Sequence, residues 1–256
     1  MLPLAPGAAD VWVTLVASCT PADGGFWSSD VLSEEERNRN AAFHSEPARV
    51  RDLATRIFVR QVLSRYLGTP AHALKFARTR FGRPFLVQEA SEAQGLSFNI
   101  SHSLEIIVLA VTRGRNIGVD VEDVRRSGRV LSRYLSGSES DGIAALPPAE
   151  RWTRFLELWT LKESYVKATG LGLHLPLHEV EFLYLNERSI APRFGESISS
   201  SLDCWNFQLW NPCPWTVASL CTEGAPHSAP VVCSRRIEPD NTVINAPFAV
   251  TRSTLS

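Results

Sequence analysis

The sequence predicts an α+β fold built from two similar halves in one chain. Apolar residues recur every three or four positions over Ala48–Leu67, and again from Pro148 to about Thr169, which is typical of a long helix with one buried face. Each of these helices is followed by short strand-like runs of β-branched and aromatic residues. Both halves have the order strand, helices, strands, although no repeat is visible in the residue identities, so we expect two units of one plan.

The first unit is predicted to begin with a buried strand at Val11–Ala17. Ser33 then has the properties of a helix N-cap, because three glutamates fill the turn that follows it. The long helix is expected to end near Gly68 and Pro70, since neither residue favours its continuation. The strands predicted after it are Leu74–Ala77, Phe85–Val87, Ser97–Ile100 and Ile106–Thr112.

The second unit is predicted to begin with the strand Ile117–Glu122. Its other elements are a helix at Glu139–Leu146, a longer helix that starts after Pro147-Pro148 and runs to about Thr169, and strands at Glu179–Leu185, Trp205–Trp210 and Thr216–Cys221. The residues after about Glu223 are rich in Pro, Ser and Asn and have little periodicity, which predicts a loose tail. The expected division is therefore 10–116 for the N-terminal half, 117–222 for the C-terminal half and 223–256 for the tail.

Composition narrows the functional classes. The 256 residues include 26 basic and 27 acidic side chains, so the net charge gives no reason to expect a nucleic acid or membrane partner. The N-terminus lacks the pattern of a signal peptide, and no apolar run is long enough to span a membrane. The five cysteines form no C-x-x-C pair, which favours reduced thiols and a cytoplasmic location over a zinc site or a disulfide framework.

Three carboxylates are candidates for chemistry. Asp120 and Glu122 alternate along their strand, so both side chains lie on one face, where two neighbouring acids need a positive partner. Glu163 and Lys167 are four residues apart and share one face of the second long helix. Carboxylate oxygens are ligands that Mg²⁺ prefers. The alternative, on these residues alone, is two solvated acids at a strand end and an ordinary surface Glu–Lys pair.

Two further segments contain candidate anion-binding groups. Ser101 and His102 close a predicted strand, where a hydroxyl and an imidazole could hold a phosphate, although a single histidine is more often half-buried and structural. Arg83 lies in a Phe-Gly-Arg-Pro turn and either presents its charge or is simply solvated there. The five arginines between Arg49 and Arg65 are assigned mainly to the solvent face of their helix.

Together these segments resemble the Sfp-type 4′-phosphopantetheinyl transferase family. Three blocks that the family shows in order occur here at similar spacing: Gly82–Pro84 with Asn99–His102, the strand Gly118–Glu122, and the helix Trp159–Lys167. Each block is weak alone, but their conjunction is specific. The resemblance extends over roughly Ser33–Val180 and implies a pseudo-twofold pair of α+β halves, with the active site and coenzyme A between them.

The chain departs from the family pattern at two basic positions. Arg83 stands where lysine is usual, which keeps the charge but replaces a point donor with a planar fork. Near the N-terminus, Arg39 fits one position of a basic pair that contacts the nucleotide. Glu36 occupies the place where the other cation is common.

The resemblance also implies roles for individual residues. Asp120, Glu122 and Glu163 are expected to hold Mg²⁺, with Mn²⁺ able to substitute. Lys167 is expected to touch a phosphate and to take part in catalysis. Glu163 is the leading candidate for the base that activates a serine hydroxyl, and Glu139 is the second. Coenzyme A contacts are expected from Arg39, Arg51, Arg83, Ser101, His102, Asp120 and Lys167.

The same resemblance implies transfer of 4′-phosphopantetheine from coenzyme A to a serine of an acyl or peptidyl carrier protein, with release of 3′,5′-ADP. Such a transfer needs charge neutralisation and alignment, which a metal ion and a lysine supply. The sequence does not choose among carriers of fatty acid, polyketide, nonribosomal peptide or lysine-type biosynthesis. A chain of this length is expected to act as a monomer. The alternative is a non-catalytic coenzyme A-binding module of the same fold, which would be expected to have lost an acid or Lys167.

A docking surface for the carrier protein is predicted beside the acidic strand. The segment Asp123–Leu135 places Arg125, Arg126, Arg129 and Arg133 among apolar residues. Carrier proteins of this class are usually acidic around the modified serine, so opposite charges would speed their encounter. The alternative is that these arginines form a solvated face.

Overall fold

The computed structural model describes residues 1–19, 25–87, 95–126, 128–198, 205–224, 232–238, 242–247 and 249–254. Its helices are α1 (Glu34–Ala41), α2 (Glu46–Leu67), α3 (Gly137–Ala144) and α4 (Pro148–Thr169). The first half contains the strands β1 (Ala9–Leu15), β2 (Phe76–Arg78), β3 (Pro84–Leu86), β4 (Leu96–Ser103) and β5 (Ile106–Arg113). The second contains β6 (Ile117–Asp123), β7 (Val180–Tyr184), β8 (Ile190–Phe194), β9 (Trp205–Trp210) and β10 (Thr216–Glu223). The last strands are β11 (Val232–Ile237), β12 (Val243–Asn245) and β13 (Val250–Ser253).

Two sheets pack face to face and each is covered by one long helix. The strand order is β12-β11-β1-β5-β4 in the first sheet and β13-β9-β10-β6 in the second. Side chains alternate along the strands: Val108 and Leu220 belong to the core between the sheets, whereas Leu109 packs in the cluster under α2 and Cys221 in the cluster under α4. The four layers, helix, sheet, sheet and helix, confirm the predicted α+β class.

The two halves use the same elements in the same order. Each has a strand, an eight-residue helix, a 22-residue helix, a two-stranded hairpin and two antiparallel strands. Both short helices begin with a capping box, at Ser33 and at Ser136, each with a glutamate three residues later. Both long helices end at a left-handed glycine, Gly68 with φ of 65° and Gly170 with φ of 70°.

The C-terminal segment corrects the prediction of a loose tail over 223–256. Its described part forms three strands: β11 pairs in parallel with β1, β12 pairs with β11, and β13 pairs with β9 in the other sheet. Arg235 on β11 forms an ion pair with the buried carboxylate of Asp10, and Ile237 joins the core beneath α2. The end of the chain therefore crosses both halves and is part of the fold.

Two expectations drawn from composition can be compared with the structure. Of the helices in the described residues, none has both the length and the apolar character needed to cross a membrane. Cys19, Cys213, Cys221 and Cys233 are free thiols, and Cys204 lies outside the described residues.

Candidate active site

The sequence motifs come together where the edges of the two sheets meet. β4 and β6 are edge strands that lie side by side. The backbone N–H of Val119 donates to Asn99 Oδ1 at 3.0 Å, and that of Val121 donates to Ser101 Oγ at 3.3 Å. An edge strand otherwise leaves such N–H groups unpaired. The Asn-x-Ser segment therefore joins the first half to the acidic strand of the second.

The long helix α4 packs directly on β6 at Gly118. A Cβ atom at this position would lie 2.0 Å from the carbonyl oxygen of Ser164 and 2.5 Å from the nitrogen of Ala168. Only glycine permits this approach of two backbones. The acidic side chains of β6 share the face of Gly118, so the same contact holds them against the last turns of α4.

Asp120 lies at the centre of the site, with 5% of its surface exposed. Its Oδ1 accepts a hydrogen bond from Lys167 Nζ at 2.6 Å and another from Ser101 Oγ at 2.8 Å. Lys167 Nζ also donates to Ser101 Oγ at 3.0 Å and to the carbonyl of Val119 at 3.1 Å. Three of the residues expected to act together are therefore in direct contact, and each half of the protein contributes to the group.

Two half-buried glutamates complete the acidic cluster. The pKa of Glu122 is raised to about 7, chiefly by burial and then by the nearby charge of Asp120. Burial likewise raises the pKa of Glu163 to about 7, with added repulsion from Asp120 and Glu122, while Lys167 acts in the opposite direction. Both carboxyl groups therefore change charge near neutral pH, chiefly because they are buried and secondly because other acids lie close to them.

The cluster has the properties of a cation-binding site. Asp120 Oδ2 and Glu163 Oε1 are buried carboxylate oxygens with no hydrogen-bond partner. Unpaired buried oxygens among repelling carboxylates favour a hard divalent cation. Among the residues that the structure describes, no three His, Cys, Asp or Glu side chains are arranged to hold a metal ion by themselves. The expected trio Asp120, Glu122 and Glu163 is therefore not a ready-made three-carboxylate site.

A cleft of about 1230 Å³ opens beside the cluster and extends along the first half. Asp120 and Lys167 line one part of it, and apolar side chains such as Phe76 and Ile100 line another. Its basic and histidine side chains are Arg39, Arg56, Arg60, His72, Lys75, Arg78, His102 and Lys167. A large space with mixed apolar and cationic walls suits a nucleotide-like ligand that carries several phosphates.

The structure places Arg39 and His102 on the cleft, with Arg51 near by. Arg39 lines the cleft, and its guanidinium pairs with Glu35 at 2.6 Å. His102 is exposed on the wall next to Ser101. Desolvation of the ring and the positive charge of Arg51 lower the pKa of His102, so this side chain is neutral at pH 7.

The Arg83 guanidinium contacts backbone carbonyls, whereas the family resemblance implies a contact with phosphate. It is half-buried and lies outside the residues that line the cleft, although the following Pro84 is among them. Its guanidinium donates to the carbonyls of Ala168 at 3.2 Å, Phe98 at 3.4 Å and Ile117 at 3.2 Å. Burial lowers its pKa, but an arginine remains charged in any protein environment.

Glu139 is also separated from the acidic cluster. Its buried carboxylate accepts hydrogen bonds from Lys162 Nζ at 2.7 Å and from the backbone N–H groups of Ser136 at 2.8 Å and Phe182 at 2.9 Å. Both carboxylate oxygens are thus already occupied by donors that belong to the fold. The structure therefore corrects the expectation that Glu139 lies beside the metal site as a second base.

The first half contains a counterpart of this buried ion pair. Arg60 Nε donates to Glu36 Oε2 at 2.8 Å, and Arg60 Nη1 donates to two backbone carbonyls at 2.8 and 2.9 Å. Arg60 and Lys162 are both the fifteenth residue of a 22-residue helix, and Glu36 and Glu139 are both the third residue of the short helix before it. Glu36 thus has a structural partner where the family commonly has a cation. Sequence reasoning missed this, because Arg60 was assigned to a solvated face.

The fold and the site define a class of protein: two α+β halves whose shared edge holds an acidic cluster beside a basic cleft. Residues 116–221 match the sequence model of the 4′-phosphopantetheinyl transferase superfamily, and residues 21–114 match that of the 4′-phosphopantetheinyl transferase N-terminal region. The two matches fall one on each half and together take in most of the chain. The chain belongs to the 4′-phosphopantetheinyl transferase superfamily.

Curated relatives have the same description. The 4′-phosphopantetheinyl transferase HetI of Nostoc sp. is 35% identical over 153 residues, which is 59% of this chain and 64% of the relative. The 4′-phosphopantetheinyl transferase Sfp of Bacillus subtilis is 31% identical over 147 residues, 57% of this chain and 63% of the relative. The human L-aminoadipate-semialdehyde dehydrogenase-phosphopantetheinyl transferase is 28% identical, with 59% and 52% covered. The matched part of this chain thus spans less than two thirds of the length of each of these three relatives.

Solved structures show a weaker likeness. A complex described as Chronobacterium ammoniagenes ACPS with CoA has a TM-score of 0.36 and 16% identity, with 44% of this chain and 98% of that chain covered. The holo-[acyl-carrier-protein] synthase of Thermotoga maritima has a TM-score of 0.33 and 23% identity, with 43% and 63% covered. Likenesses at this level add nothing to the assignment made by the sequence matches.

Proposed function

We propose that this protein transfers the 4′-phosphopantetheine group of coenzyme A to a serine of an acyl or peptidyl carrier protein and releases 3′,5′-ADP. The observation that carries the proposal is the group formed by Asp120, Glu163 and Lys167 at one end of a basic cleft. Relatives named as phosphopantetheinyl transferases support it. A phosphorylated ligand would lie along the cleft with its pyrophosphate near the acids and Lys167.

The transfer is proposed to depend on Mg²⁺, with Mn²⁺ able to substitute. Asp120 and Glu163 would hold the cation through their unpaired buried oxygens. Glu122 would join them as a third ligand only if the bound cation draws the three acids together, since they are not arranged as a three-carboxylate site without it. When bound, the cation neutralises negative charge on the phosphates of the substrate. Its charge would also lower the pKa of both glutamates, because it replaces their mutual repulsion with attraction.

Lys167 and the cleft cations supply the remaining charge. Lys167 Nζ lies between Asp120 and Ser101 at the border of the two halves, where its ammonium would face an incoming phosphate and favour the transition state. Arg39 and His102 are the nucleotide-binding candidates on the wall of the cleft, with Arg51 beside His102. We add Arg56 to this set, since it lines the cleft and its charge is only partly used by Asp52 and Glu36.

Glu163 is the residue proposed to remove the proton from the carrier serine. Its pKa is about 7 without a cation. A bound cation would lower this pKa, so the carboxylate would be ionised at neutral pH and able to accept a proton. Its Oε1 has no competing donor, in contrast to the carboxylate of Glu139. We therefore assign the role to Glu163 alone and treat Glu139 as a residue that stabilises the fold.

The rival function, a non-catalytic coenzyme A-binding module, is not favoured. Such a protein would need the basic cleft but not three acids and a lysine clustered beside it, and buried charges that serve no purpose cost stability. Binding of coenzyme A without transfer would be its signature. The two functions are therefore separated by the same assay that tests the proposal.

The decisive experiment is mass spectrometry of an apo carrier protein incubated with the protein, coenzyme A and Mg²⁺. Addition of phosphopantetheine to the carrier serine, absent in EDTA and absent with Asp120→Ala, is the expected result. Apo carriers of the fatty acid, polyketide and nonribosomal peptide types should be compared, since the site does not choose among them. An unmodified carrier together with measurable coenzyme A binding would favour the non-catalytic module.

The carrier protein is proposed to dock on the segment Asp123–Leu135. Val130 and Leu131 are exposed apolar side chains on it, at 37% and 40%. Arg125 already forms ion pairs with Asp123 and Glu105, so the cations best able to meet an acidic carrier are the other arginines of the segment. We further propose that the protein acts as a monomer, because one chain contributes both sides of the site. We propose a cytoplasmic location from the cysteine pattern of the sequence.

A further inference from the structure

We infer that Arg83 is a positioning residue that joins the three segments of the active site, and that it does not bind the phosphates of coenzyme A. This inference rests on the proposed function, because that function makes the neighbouring residues an active site. The contacts of Arg83 are observed whatever the function is. The inference concerns this chain in particular, since lysine is usual at this position in the family it resembles.

The three acceptors of the Arg83 guanidinium belong to three different segments of the site. Ala168 directly follows Lys167 on α4, Ile117 begins the strand that carries Asp120, and Phe98 lies on β4 before the Asn-x-Ser segment. One side chain from the β2–β3 hairpin thus contacts both halves of the protein. A change at this point would shift the lysine, the acids and the phosphate-facing strand relative to one another.

Each acceptor has a reason to need this donor. Ala168 lies in the last turn of α4, where carbonyl oxygens have no partner within the helix, and a cation at that end also interacts favourably with the helix dipole. Ile117 and Phe98 lie on strands whose neighbouring edges are not paired by a regular ladder. An arginine fork can serve several such carbonyls at once, whereas the ammonium of lysine is a compact point donor at the end of a flexible four-carbon stem.

The positioning role can be separated from phosphate binding by two variants, Arg83→Lys and Arg83→Ala. If Arg83 positions the site, both variants should lower kcat by about 10- to 100-fold, as expected for a small displacement of reacting groups. The ratio of KM for dephospho-coenzyme A to KM for coenzyme A should stay within about twofold of wild type. Arg80→Ala is the matched control, because Arg80 lies on the same hairpin turn and stacks on Phe81; it should leave kcat unchanged.

A phosphate-binding role gives the opposite pattern. Arg83→Lys would then keep activity close to wild type, and Arg83→Ala would raise KM for coenzyme A and bring the KM ratio towards one. That outcome would overturn the inference. The thermal unfolding of every variant should be measured, so that kcat is compared only at temperatures where each variant is folded.

Hydrogen–deuterium exchange tests the same inference without a transfer assay. Both variants should exchange faster than wild type and Arg80→Ala in three separate segments, residues 166–170, 117–121 and 96–101. Added methylguanidinium should slow the exchange of Arg83→Ala more than added methylammonium does. Unchanged exchange in these segments would refute the positioning role. If wild type transfers nothing to any carrier, the proposed function fails, and the exchange result still decides the role of Arg83.

Discussion

Glutamine in place of Glu163 should make the protein more stable when no divalent cation is present. The pKa of Glu163 is raised from 4.5 to about 7 in the folded protein, chiefly by burial and then by Asp120. Keeping the carboxylate ionised above pH 7 therefore costs the folded state up to about 3 kcal/mol. Glutamine has nearly the same shape and no charge. Because Lys167 and local relaxation offset part of the cost, we expect a gain of about 1–3 kcal/mol, or about 2–10 °C in Tm.

The pH dependence follows from linkage. Between about pH 4.5 and about 7 the unfolded chain has released the proton of Glu163 and the folded chain has not. The stability of the wild type should therefore fall as pH rises through this window, and the penalty should be complete above it. The advantage of Glu163→Gln should be full at pH 8 and small at pH 5. Thermal unfolding of both proteins in EDTA at these two pH values measures it.

The same variant should lose its response to ligands. Mg²⁺ and coenzyme A together should raise the Tm of the wild type more than that of Glu163→Gln, because a ligand that binds the folded state stabilises it by mass action. Transfer to the carrier should be lost as well. Glu187→Gln, an exposed change in a loop, is the control and should alter neither stability nor ligand response. A Glu163→Gln protein that is no more stable than wild type in EDTA at pH 8 would refute the reasoning.

Four other predictions follow from the site. Transfer should stop in EDTA and return with Mg²⁺ or Mn²⁺, and full activity in EDTA would exclude the cation. Asp120→Ala should lower kcat/KM by a factor that corresponds to the loss of several kcal/mol of transition-state stabilisation. His102→Ala should raise KM for coenzyme A more than it lowers kcat, and an equal loss with dephospho-coenzyme A would show that His102 does not read the 3′-phosphate. Arg129→Glu with Arg133→Glu should slow transfer at low salt but not weaken coenzyme A binding, and the deficit should shrink as salt screens charges beyond about 10 Å; an unchanged KM for the carrier would place docking elsewhere. Gly118→Ala should lower both Tm and kcat, by about 1–3 kcal/mol or more in stability, because the new methyl group overlaps the backbone of α4; normal unfolding and activity would contradict the close packing.

The parts of the fold that the sequence predicted are those with local signals. The two long helices have periodic apolar faces, a proline in the first turn and a glycine after the last residue, and their predicted ends agree with the structure within two residues. The acidic strand was predicted because alternation along a strand is visible in any short window. Asp120 and Lys167, expected to act together, are in contact.

The parts that could not be predicted depend on contacts between distant segments. β11 is stabilised by pairing with β1 and by the ion pair between Arg235 and Asp10, whose positions are more than 200 residues apart; its own composition indicates a loop. The burial of Arg60, Glu139 and Lys162 likewise depends on tertiary packing, since charged residues are almost never fully buried unless they are paired. A family pattern also could not show that Arg83 would turn towards backbone carbonyls.

The repeated short and long helices mean that one scaffold is used twice in the chain, with different side chains beside each copy. Arg39 and Arg56 line the cleft of the first half, and the residues at the same helical positions in the second half are Gly142 and Leu158. These two line a smaller cavity of about 200 Å³. The second half has the corresponding buried ion pair between Lys162 and Glu139, but among the described residues its cavity is lined by one cation, Arg154, which is paired with Glu157. Substitutions in the second cavity should therefore leave binding of a phosphorylated ligand unchanged, whereas substitutions of the cleft cations should weaken it.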